Sequence, residues 1–389
     1  MRVLFVCGAG DGSGYARIAE EVLPHFTDCE AAFHLPLGTL GPLRSPAAVR
    51  PITEPTNSAT WPAEIGRAAS EMHPTVVIVI GDMWRAARLL PALRLHCPDS
   101  KLFVWGPLDS LTIDPKLLPA LSHADSIIFF TDAQRKAYCL QAGNWMCPSV
   151  STLGLGLNAD TFSAPQHILD LRGRNELKQL VFGPQISAGD FIVLNANSNL
   201  TRKRIDLTVE AFARFSLGKP ASVKLCLHMR ADGVSAWNLH RLCMKFGVRD
   251  RVVTPQLPKA NHLLTDGDLA LLYAACDVGI NTSVAEGWGL VAFEHAAAGG
   301  AQIVPNHTAC AELWRQHALR VPACRGTPTN VLGYEEHEVS AAQAALSLEQ
   351  LYRDESFRLE LATSGHRYAV SETFSWAGVA SRLRRLMHP

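Results

Sequence analysis

Short aliphatic runs recur along this chain, and each is followed by a stretch with the spacing of an amphipathic helix. Runs rich in valine, isoleucine and phenylalanine, without polar alternation, are typical of parallel strands that are buried on both faces. One set occupies residues 2–7, 75–80, 101–105 and 126–130, and a second occupies residues 191–195, 223–228, 251–253, 277–281 and 301–304. Helical spacing occurs at residues 14–25, 63–72, 206–215, 269–275 and 291–298. This alternation predicts an α/β protein built on parallel sheets.

The strand–helix succession stops and restarts in the middle of the chain, which indicates two domains. A length of 389 residues also exceeds what a single hydrophobic core usually supports. We therefore expect two Rossmann-like α/β/α domains facing a central cleft, formed by residues 1–165 and 166–372. Residues 163–189 contain two prolines and three glycines and form the predicted linker, and residues 36–62, with six prolines, form a predicted long loop. Residues 373–389 are expected to be helical.

The composition argues against several classes of protein. The formal net charge is zero, with 36 basic and 36 acidic residues, so no overall field attracts nucleic acid or an anionic membrane. The ten cysteines form no CxxC pair, and the fifteen histidines lack the spacing of a metal site. The apolar N-terminal run is too short for a signal peptide, and residues 269–276 are too few to span a membrane. We expect a soluble cytoplasmic protein without a metal, with peripheral membrane contact at most.

A glycine-rich loop, GAGDGSG, follows the first predicted strand and opens the first predicted helix. Such loops bring backbone N–H groups close to a phosphate or a hydroxyl group. The third position of a dinucleotide fingerprint is Ser13 here, and no Gly-Lys-Ser/Thr follows, so neither a dehydrogenase site nor a P-loop is indicated. We assign Gly12 and Ser13 to ligand binding. A plain strand-to-helix turn is the alternative.

Arg202, Lys203 and Arg204 form a basic triplet directly before a segment with helical spacing that starts at Ile205. Cations near a helix start are disfavoured by the helix dipole unless an anion shares the site. A diphosphate is an anion of suitable size and charge. The alternative is a run of solvated surface charges.

Two carboxylates, Glu286 and Glu294, bracket the segment EGWGLVAFE. On one continuous helix they would lie about 12 Å apart along the axis, whereas a retaining-hydrolase pair needs about 5 Å. Gly287 and Gly289 indicate instead that Glu286 lies on a loop and that a helix begins near Leu290. We infer that the two carboxylates accept hydrogen bonds from separate hydroxyl groups of one elongated, phosphate-bearing ligand.

This segment and its surroundings resemble the donor site of retaining GT-B glycosyltransferases, above all family four, whose motif is Glu-x7-Glu. The similar stretches are AACDVGIN at 274–281, EGWGLVAFEHAAAGGAQIV at 286–304, Ala311-Glu312, RKRIDL around Lys203, GLNADTF at 156–162 and FSW at 374–376. The resemblance covers most of the chain and is strong in the second predicted domain but loose in the first. It implies a nucleotide-sugar donor in the second domain, an acceptor in the first, and a final helix that crosses back to the first.

The resemblance also implies roles for individual residues. Glu294 would accept hydrogen bonds from the nucleotide ribose, and Glu286 from a sugar hydroxyl, commonly that at C3. Backbone amides at the helix start would bind the diphosphate, in the loop formed by Gly287, Trp288, Gly289 and Leu290. Lys203, with Arg202 beside it, would neutralise charge on the leaving phosphate, which requires no metal. Lys203 and Glu286 are therefore the expected catalytic residues.

Some positions depart from the family pattern or stay open. The family carries an arginine five or six residues before the lysine, where this chain has Asn197 and Ser198. Arg202 or Arg204 could replace that cation, and weak or lost activity is the alternative. The Trp288 ring either packs its loop or stacks on a base, and His295 is expected to pack.

The acceptor side is defined least, because the first predicted domain resembles the family least. Asp82 in GDMW, Asp109 in GPLDS and His123 in LSHAD are the candidate acceptor-side groups, with a structural role as the alternative for each. The acceptor would be a saccharide, a lipid-linked compound or another hydroxyl compound. The sequence leaves open the acceptor, the base and sugar of the donor, and the oligomeric state.

Together these features predict a retaining, metal-independent hexosyltransferase that needs no further cofactor. It would move a hexose from a UDP- or GDP-linked donor, such as UDP-glucose or GDP-mannose, to a hydroxyl acceptor with formation of an α-linkage. One alternative is a non-catalytic GT-B protein that binds a sugar nucleotide or a glycan. Others are a GT-B phosphorylase or nucleotide-sugar epimerase, and a nucleic-acid sugar modifier. The last is supported only by a small basic face at Arg382, Arg384 and Arg385.

Overall fold

A computed structural model describes residues 1–7, 14–26, 29, 31–36, 48–49, 60–145, 149–163, 171–229, 237–257, 264–324 and 336–387. The glycine-rich loop with Gly12 and Ser13, and most of the predicted long loop, lie outside these residues. The described residues divide into two compact units. Unit 1 contains Met1–Gly156 and Glu372–Pro389, and unit 2 contains Leu157–Thr327 and Glu336–Ser371.

The secondary structure of the described residues alternates between strands and helices. The strands are β1 Arg2–Cys7, β2 Ala31–Pro36, β3 Ala48–Val49, β4 Val76–Ile80, β5 Lys101–Trp105, β6 Ser126–Phe129, β7 Ser149–Thr152, β8 Phe191–Asn195, β9 Val223–Leu227, β10 Val252–Val253, β11 Val278–Ile280, β12 Ala301–Pro305, β13 Leu319–Val321, β14 Ala323–Cys324 and β15 Glu338–Val339. The helices are α1 Gly14–Val22, α2 Trp61–Ser70, α3 Met83–His96, α4 Leu118–Leu121, α5 Asp132–Ala142, α6 Ala159–Phe162, α7 Leu171–Phe182, α8 Ile205–Ser216, α9 Leu239–Lys245, α10 Asp266–Ala274, α11 Leu290–Ala297, α12 Thr308–Leu313, α13 Ala341–Arg353, α14 Glu355–Ala369 and α15 Trp376–Met387.

Unit 1 is built on a sheet in the order β3-β2-β1-β4-β5-β6-β7, in which every neighbouring pair is parallel. The central strands are buried on both faces, as their unbroken aliphatic runs predict, and all five residues of β4 are buried. Side chains of α2, α3, α4 and α5 pack with the sheet in one hydrophobic cluster. Helix α15 belongs to this unit, and a Cβ on Gly156 would come within 2.4 Å of the Trp376 ring.

Unit 2 is built on a second parallel sheet, in the order β10-β9-β8-β11-β12-β13. Apolar side chains of α8, α13 and α14 form a hydrophobic cluster with β8, β9, β11 and β12. A short antiparallel pair, β14 with β15, lies outside this sheet. The predicted class, an α/β protein with two parallel sheets, is therefore confirmed.

The predicted strands are all present, and each agrees with the structure to within one residue at either end. The prediction omits β2, β3, β7, β13, β14 and β15. Of these, β3, β7 and β13 are edge strands, and β7 and β13 have the mixed sequences SVST and LRV. An edge strand is partly solvated, so it lacks the continuous aliphatic run that identifies a central strand.

The predicted linker at residues 163–189 is wrong, because most of it from residue 171 onward forms α7, a helix integrated into unit 2. Arg174 is buried, and its guanidinium group donates hydrogen bonds to the backbone carbonyls of Cys276 and Gly299. Lys178 is also buried, in an ion pair. Glycines and prolines suggested a flexible connection, but these buried cations fix the helix to the sheet of unit 2.

Candidate functional site

The carboxyl ends of β8 and β11 lie side by side in unit 2, at the point where the strand order reverses direction. Open parallel sheets bind ligands at such a switch point, in the loops after the strands. The loop after β8 contains Lys203 and the loop after β11 contains Glu286. The structure brings the two side chains together, with Lys203 Nζ 2.5 Å from Glu286 Oε1. This ion pair is the centre of the candidate site.

The basic triplet is only in part a run of solvated charges, because Arg202 is exposed, Arg204 is half-buried and Lys203 is buried. Arg202 Nη1 donates to the carbonyl of Ala285 at 3.1 Å. Lys203 is only 8% exposed and contacts Glu286. Arg204 forms ion pairs with two other carboxylates. Arg202 and Lys203 therefore supply the positive charge at the site, whereas Arg204 is already paired elsewhere.

A single oxygen of Glu286 takes all of its side-chain hydrogen bonds. Oε1 accepts from Lys203 Nζ, from Asn281 Nδ2 at 2.9 Å and from Ser283 Oγ at 3.0 Å. Burial raises the pKa of Glu286, but the charges of Lys203 and Arg202, with these hydrogen bonds, outweigh it and lower the pKa to about 2. The carboxylate is therefore ionised at neutral pH. Its Oε2 has no hydrogen-bond partner among the described residues, which leaves an acceptor for a ligand.

Helix α11 begins four residues after Glu286, and the predicted start near Leu290 is confirmed. Gly289 precedes it with φ 90° and ψ 51°, a left-handed conformation that glycine adopts at little cost. No side chain caps the helix, and the amides of Gly289 and Leu290 donate to no acceptor in the described part of the chain. Residues 272–300 are buried except for Gly289, Leu290 and Val291. The helix start therefore offers free N–H groups to an anion.

The rest of this segment packs inwards. The Trp288 ring is 5% exposed and stacks on Phe293 with ring centroids 5.1 Å apart, so it packs its own loop. Glu294 is buried in α11 and accepts a hydrogen bond from the Tyr273 hydroxyl at 3.2 Å. The two carboxylates of the segment therefore have different partners, a cation for Glu286 and a phenol for Glu294.

His295 is held inside the unit by two contacts. Its Nε2 lies 3.2 Å from the carbonyl of Cys276, and its Nδ1 lies 3.0 Å from Gln302 Nε2. A Cβ on Gly300 would come within 2.0 Å of the ring, so this close approach requires glycine. Burial lowers the pKa of His295 to about 4, which keeps the ring neutral at neutral pH. This geometry agrees with the packing role expected for His295.

The three acceptor-side candidates lie in unit 1, at two different edges of its sheet. Asp82 follows β4 and Asp109 follows the neighbouring strand β5, so both lie at the carboxyl edge. Asp82 Oδ1 accepts a hydrogen bond from the Tyr15 hydroxyl at 2.6 Å. His123 precedes β6, at the amino edge, and its side chain is exposed. The structure thus groups Asp82 with Asp109 and separates His123 from them.

Four residues of the site are missing from the sequence-based hypothesis: Asn281, Ser283, His307 and Thr308. Asn281 and Ser283 donate to Glu286, as described above. Thr308 Oγ1 accepts from the Glu286 amide at 3.2 Å, and His307 lies beside it. All four follow the carboxyl ends of β11 or β12, two neighbouring parallel strands. That position is the signal by which they could have been identified.

Two general properties of the described residues bear on the site. Every helix among them is too short or too polar to span a bilayer. They also contain no group of three or more His, Cys, Asp and Glu side chains that could hold a metal ion. The groups that the site offers to a ligand are an ammonium group, carboxylate oxygens and backbone amides.

Comparison with known proteins identifies similar structures but no similar sequence. No protein-family description matches the chain, and neither does any curated protein. HepE of Anabaena, in complex with UDP and glucose, matches with a TM-score of 0.73 and 16% identity, over 100% of this chain and 99% of that chain. Sucrose-phosphate synthase from Thermosynechococcus elongatus matches with a TM-score of 0.70 and 14% identity, over 100% and 98%.

A UDP-forming α,α-trehalose-phosphate synthase from Burkholderia xenovorans also matches, with a TM-score of 0.70 and 14% identity, over 100% of this chain and 98% of that chain. At such low identities the likeness concerns the fold. The resemblance to family four and its Glu-x7-Glu motif stays a prediction. The chain has the GT-B fold, with two parallel-sheet α/β domains.

Proposed function

We propose that the chain is a retaining, metal-independent glycosyltransferase that moves a hexose from a UDP- or GDP-linked sugar to a hydroxyl acceptor with formation of an α-linkage. The observation that carries the proposal is the buried Lys203–Glu286 pair beside the uncapped start of α11, at the switch point of the sheet. The fold supports it, because HepE structures contain UDP and UDP-glucose. The acceptor would be a saccharide, a lipid-linked compound or another hydroxyl compound.

The groups of the site suit the parts of a sugar nucleotide. The amides of Gly289 and Leu290, with the helix dipole, would bind diphosphate oxygens. Glu294 would accept hydrogen bonds from the ribose hydroxyls. The unbonded Oε2 of Glu286 would accept a hydrogen bond from a hydroxyl group of the sugar. A diphosphate between two hydroxyl-bearing rings thus matches an anion site between two carboxylates.

Lys203 is the group that would promote cleavage of the glycosidic bond. Negative charge grows on the leaving phosphate as this bond breaks, and a positioned ammonium group in a water-poor site stabilises it. Glu286 holds Lys203 in position before the donor binds. Because the pKa of Glu286 is lowered to about 2, this residue would act as a hydrogen-bond acceptor and not as a general acid.

Electrostatic stabilisation of this kind needs no metal, since the ammonium group supplies the positive charge. The retaining course and the α-linkage are proposed from the resemblance of residues 286–294 to retaining enzymes. Asn197 stands near the position of the family's arginine, and its Nδ2 donates to Asn195 Oδ1 at 3.1 Å. Neutralisation of the phosphate would therefore depend on Lys203, with Arg202 beside it.

The test is release of free nucleotide from UDP-glucose and GDP-mannose, measured with and without EDTA. Lys203→Ala and Glu294→Ala should each lower the rate at least about 100-fold, whereas EDTA should not change it. Arg214→Ala, an exposed position on α8, is the matched control and should leave the rate unchanged. NMR of the product would identify the anomer. Unchanged release in both site variants would contradict the assignment of the donor site.

A second candidate function is that of a non-catalytic protein that binds a sugar nucleotide. It is favoured by Asn197, because a site with one fewer cation can bind a donor without activating it. Such a protein would be stabilised against thermal unfolding by UDP or GDP. It would release no nucleotide with any acceptor, whereas a transferase would do so.

A further inference from the structure

Four buried polar side chains next to the candidate site form a chain of hydrogen bonds. They are Asn195 at the end of β8, Asn197 in the loop after it, Thr208 in α8 and Thr282 in the loop after β11. Each of them is at most 5% exposed. Polar groups are costly to bury unless they bond to one another, so a set that does so indicates a specific local arrangement.

The backbone fixes the orientation of the first amide group. Asn195 Oδ1 accepts a hydrogen bond from the Asn197 backbone amide at 3.0 Å, and a backbone N–H group can only donate. The Nδ2 group of Asn195 is therefore the one that faces Thr208, and it donates to Thr208 Oγ1 at 2.8 Å. The hydroxyl proton of Thr208 is thus left for another acceptor.

The two threonine hydroxyl groups also have defined directions. Their oxygens lie 2.7 Å apart, so one of them donates to the other. Thr282 Oγ1 lies 2.8 Å from the carbonyl oxygen of Arg204 and 3.3 Å from that of Lys203, and carbonyl oxygens only accept. The proton of Thr282 therefore points to these carbonyls, and Thr208 donates to Thr282. The chain of hydrogen bonds runs from Asn195 through both threonines to the backbone.

Thr282 thus contacts the two residues of the loop after β8 that decide where the ammonium group lies. Lys203 carries that group, and Arg204, the next residue, has φ 47° and ψ 53°. This left-handed conformation is unfavourable for a residue with a Cβ, so neighbouring contacts have to maintain it. Among the described residues, the other donors to the Arg204 carbonyl lie in the first turn of α8. Thr282 supplies the hydrogen bond from another loop.

The loops after β8 and β11 are joined at further points that do not depend on this hydroxyl group. The amide of Val284 donates to the carbonyl of Arg202 at 3.0 Å, and Lys203 Nζ contacts Glu286. Removal of the Thr282 hydroxyl would leave every charge in place but would release the backbone that carries Lys203. A misplacement of about 1 Å at a reacting group can lower a rate about 100-fold.

We propose that Thr282 is a positioning residue of the donor site, which keeps the Lys203 ammonium group in place for the leaving phosphate by holding the carbonyls of Lys203 and Arg204. Thr208, itself held by Asn195, supports the Thr282 hydroxyl. The inference rests on the proposed function, because it assigns Thr282 to the same cleavage step. Thr282 acts through Lys203 and not on the donor itself.

Two variants separate the hydroxyl group from the volume of the side chain. Thr282→Val keeps the shape but removes the hydrogen bond to the carbonyls, and Thr282→Ser keeps the hydroxyl without the methyl group. Ser100→Ala is the control, because Ser100 is a buried hydroxyl residue at the amino edge of the unit 1 sheet, and its Oγ donates to the carbonyl of Pro74 at 2.6 Å. The probe is UDP-glucose or GDP-mannose, whichever wild type turns over. Rates are compared per folded molecule, with the folded fraction taken from denaturant unfolding.

Thr282→Val should lower kcat for nucleotide release about 10- to 100-fold, whereas KM for the donor should change less than about threefold. The reason is that the ammonium group acts mainly on the charge that develops in the transition state. Thr282→Ser should recover most of kcat, and Ser100→Ala should keep the wild-type rate. In a Lys203→Ala background, Thr282→Val should cause no further loss, because the group that Thr282 positions is absent.

If Thr282→Val does not fold, the same measurements are made with Thr208→Val, which removes the donor to Thr282 and should lower kcat to a smaller extent. The inference fails if kcat per folded molecule is unchanged in the variant that folds, or if Thr282→Ser or Ser100→Ala loses as much. An equal loss in the Lys203→Ala background would also contradict it and would indicate a structural role. These results leave the proposed transferase intact, whereas a wild-type protein that consumes no sugar nucleotide would overturn the proposed function and this inference with it.

Discussion

The sheets of unit 1 and unit 2 both have carboxylates at their carboxyl edges, but in different surroundings. In unit 1, Asp82 is half-buried and accepts a hydrogen bond from the neutral Tyr15 hydroxyl. In unit 2, Glu286 is 4% exposed and contacts the ammonium group of Lys203. Burial of an ion pair has a desolvation cost that attraction offsets only with good geometry and further hydrogen bonds. A buried ion pair is therefore weak evidence for a stabilising role, and the proposed function gives this pair another one, whereas the half-buried phenol–carboxylate contact in unit 1 has a smaller desolvation cost.

Removal of Lys203 should have the largest effect. Lys203→Met leaves the buried Glu286 carboxylate without its cation, so the free energy of unfolding should fall by about 3–5 kcal/mol. Under the proposed function, nucleotide release should fall by about 1,000-fold, because the leaving phosphate would lose its nearest cation. Adding Glu286→Gln should restore much of the stability but not the release. Denaturant unfolding and a nucleotide assay measure the two effects. An unchanged free energy of unfolding in Lys203→Met would contradict the difference drawn here between the ion pair of unit 2 and the Tyr15–Asp82 contact of unit 1.

Acidification should weaken unit 2 through two of its buried histidines. Burial lowers the pKa of both His295 and His307 to about 4, whereas an unfolded histidine titrates near pH 6.5. The unfolded chain therefore binds protons first as the pH falls. The free energy of unfolding should decrease between about pH 6.5 and pH 4, by up to about 3 kcal/mol per histidine.

Glu286 contributes in a separate window, because its stabilising effect is lost only as the pH falls from about 4.5 towards 2. Denaturant unfolding at pH 7, 6 and 5 measures the histidine effect, and His307→Gln should make the dependence on pH shallower. An equally steep dependence in that variant would show that His307 is not responsible.

Gly289→Ala tests the helix start with a smaller expected effect. A φ of 90° should cost alanine about 1–2 kcal/mol of stability, since the left-handed region is unfavourable for residues with a Cβ. Crowding is not the cause, because the new Cβ would lie 3.9 Å from Cys310 Sγ, an ordinary contact. UDP affinity should fall about tenfold as the amides shift. Calorimetry and unfolding measure both effects. Gly189→Ala, with open space around its Cβ, is the control.

The smallest effect is expected in unit 1. Tyr15→Phe removes the hydroxyl that donates to Asp82, and the free energy of unfolding should fall by less than about 1 kcal/mol because both residues are only half-buried. UDP binding, measured by calorimetry, should not change. If Tyr15→Phe lowered the free energy of unfolding as much as Lys203→Met does, the Tyr15–Asp82 contact would be as important for stability as the Lys203–Glu286 ion pair, and the contrast between the two sheets would be wrong.

The sequence predicts the central strands and the start of α11 well, because these depend on local signals. Aliphatic runs identify buried strands, and the two glycines before Leu290 mark the change from loop to helix. No local sequence pattern predicts the contact between Lys203 and Glu286. It arises because β8 and β11 become neighbours only when the sheet order reverses.

The errors and omissions have a similar physical origin. Residues 163–189 contain turn-forming residues, which led to the wrong prediction of a linker. The carbonyl groups that accept hydrogen bonds from Arg174 lie about a hundred residues further along the chain, so no local signal indicated that this helix is buried. His307 was not identified because a lone histidine after a strand is usually a packing residue. Its neighbour Thr308, whose hydroxyl contacts both the His307 ring and the Glu286 amide, has a left-handed conformation that the sequence does not indicate.

The guanidinium group of Arg174 links the two ends of the segment that contains Glu286 and Glu294. Arg174 joins the carbonyl of Cys276, before Glu286, to that of Gly299, after Glu294. A side chain of α7 thus bridges the beginning and the end of this segment by hydrogen bonds. These two hydrogen bonds restrain the segment, and under the proposed function they would reduce the conformational entropy that is lost when a donor binds.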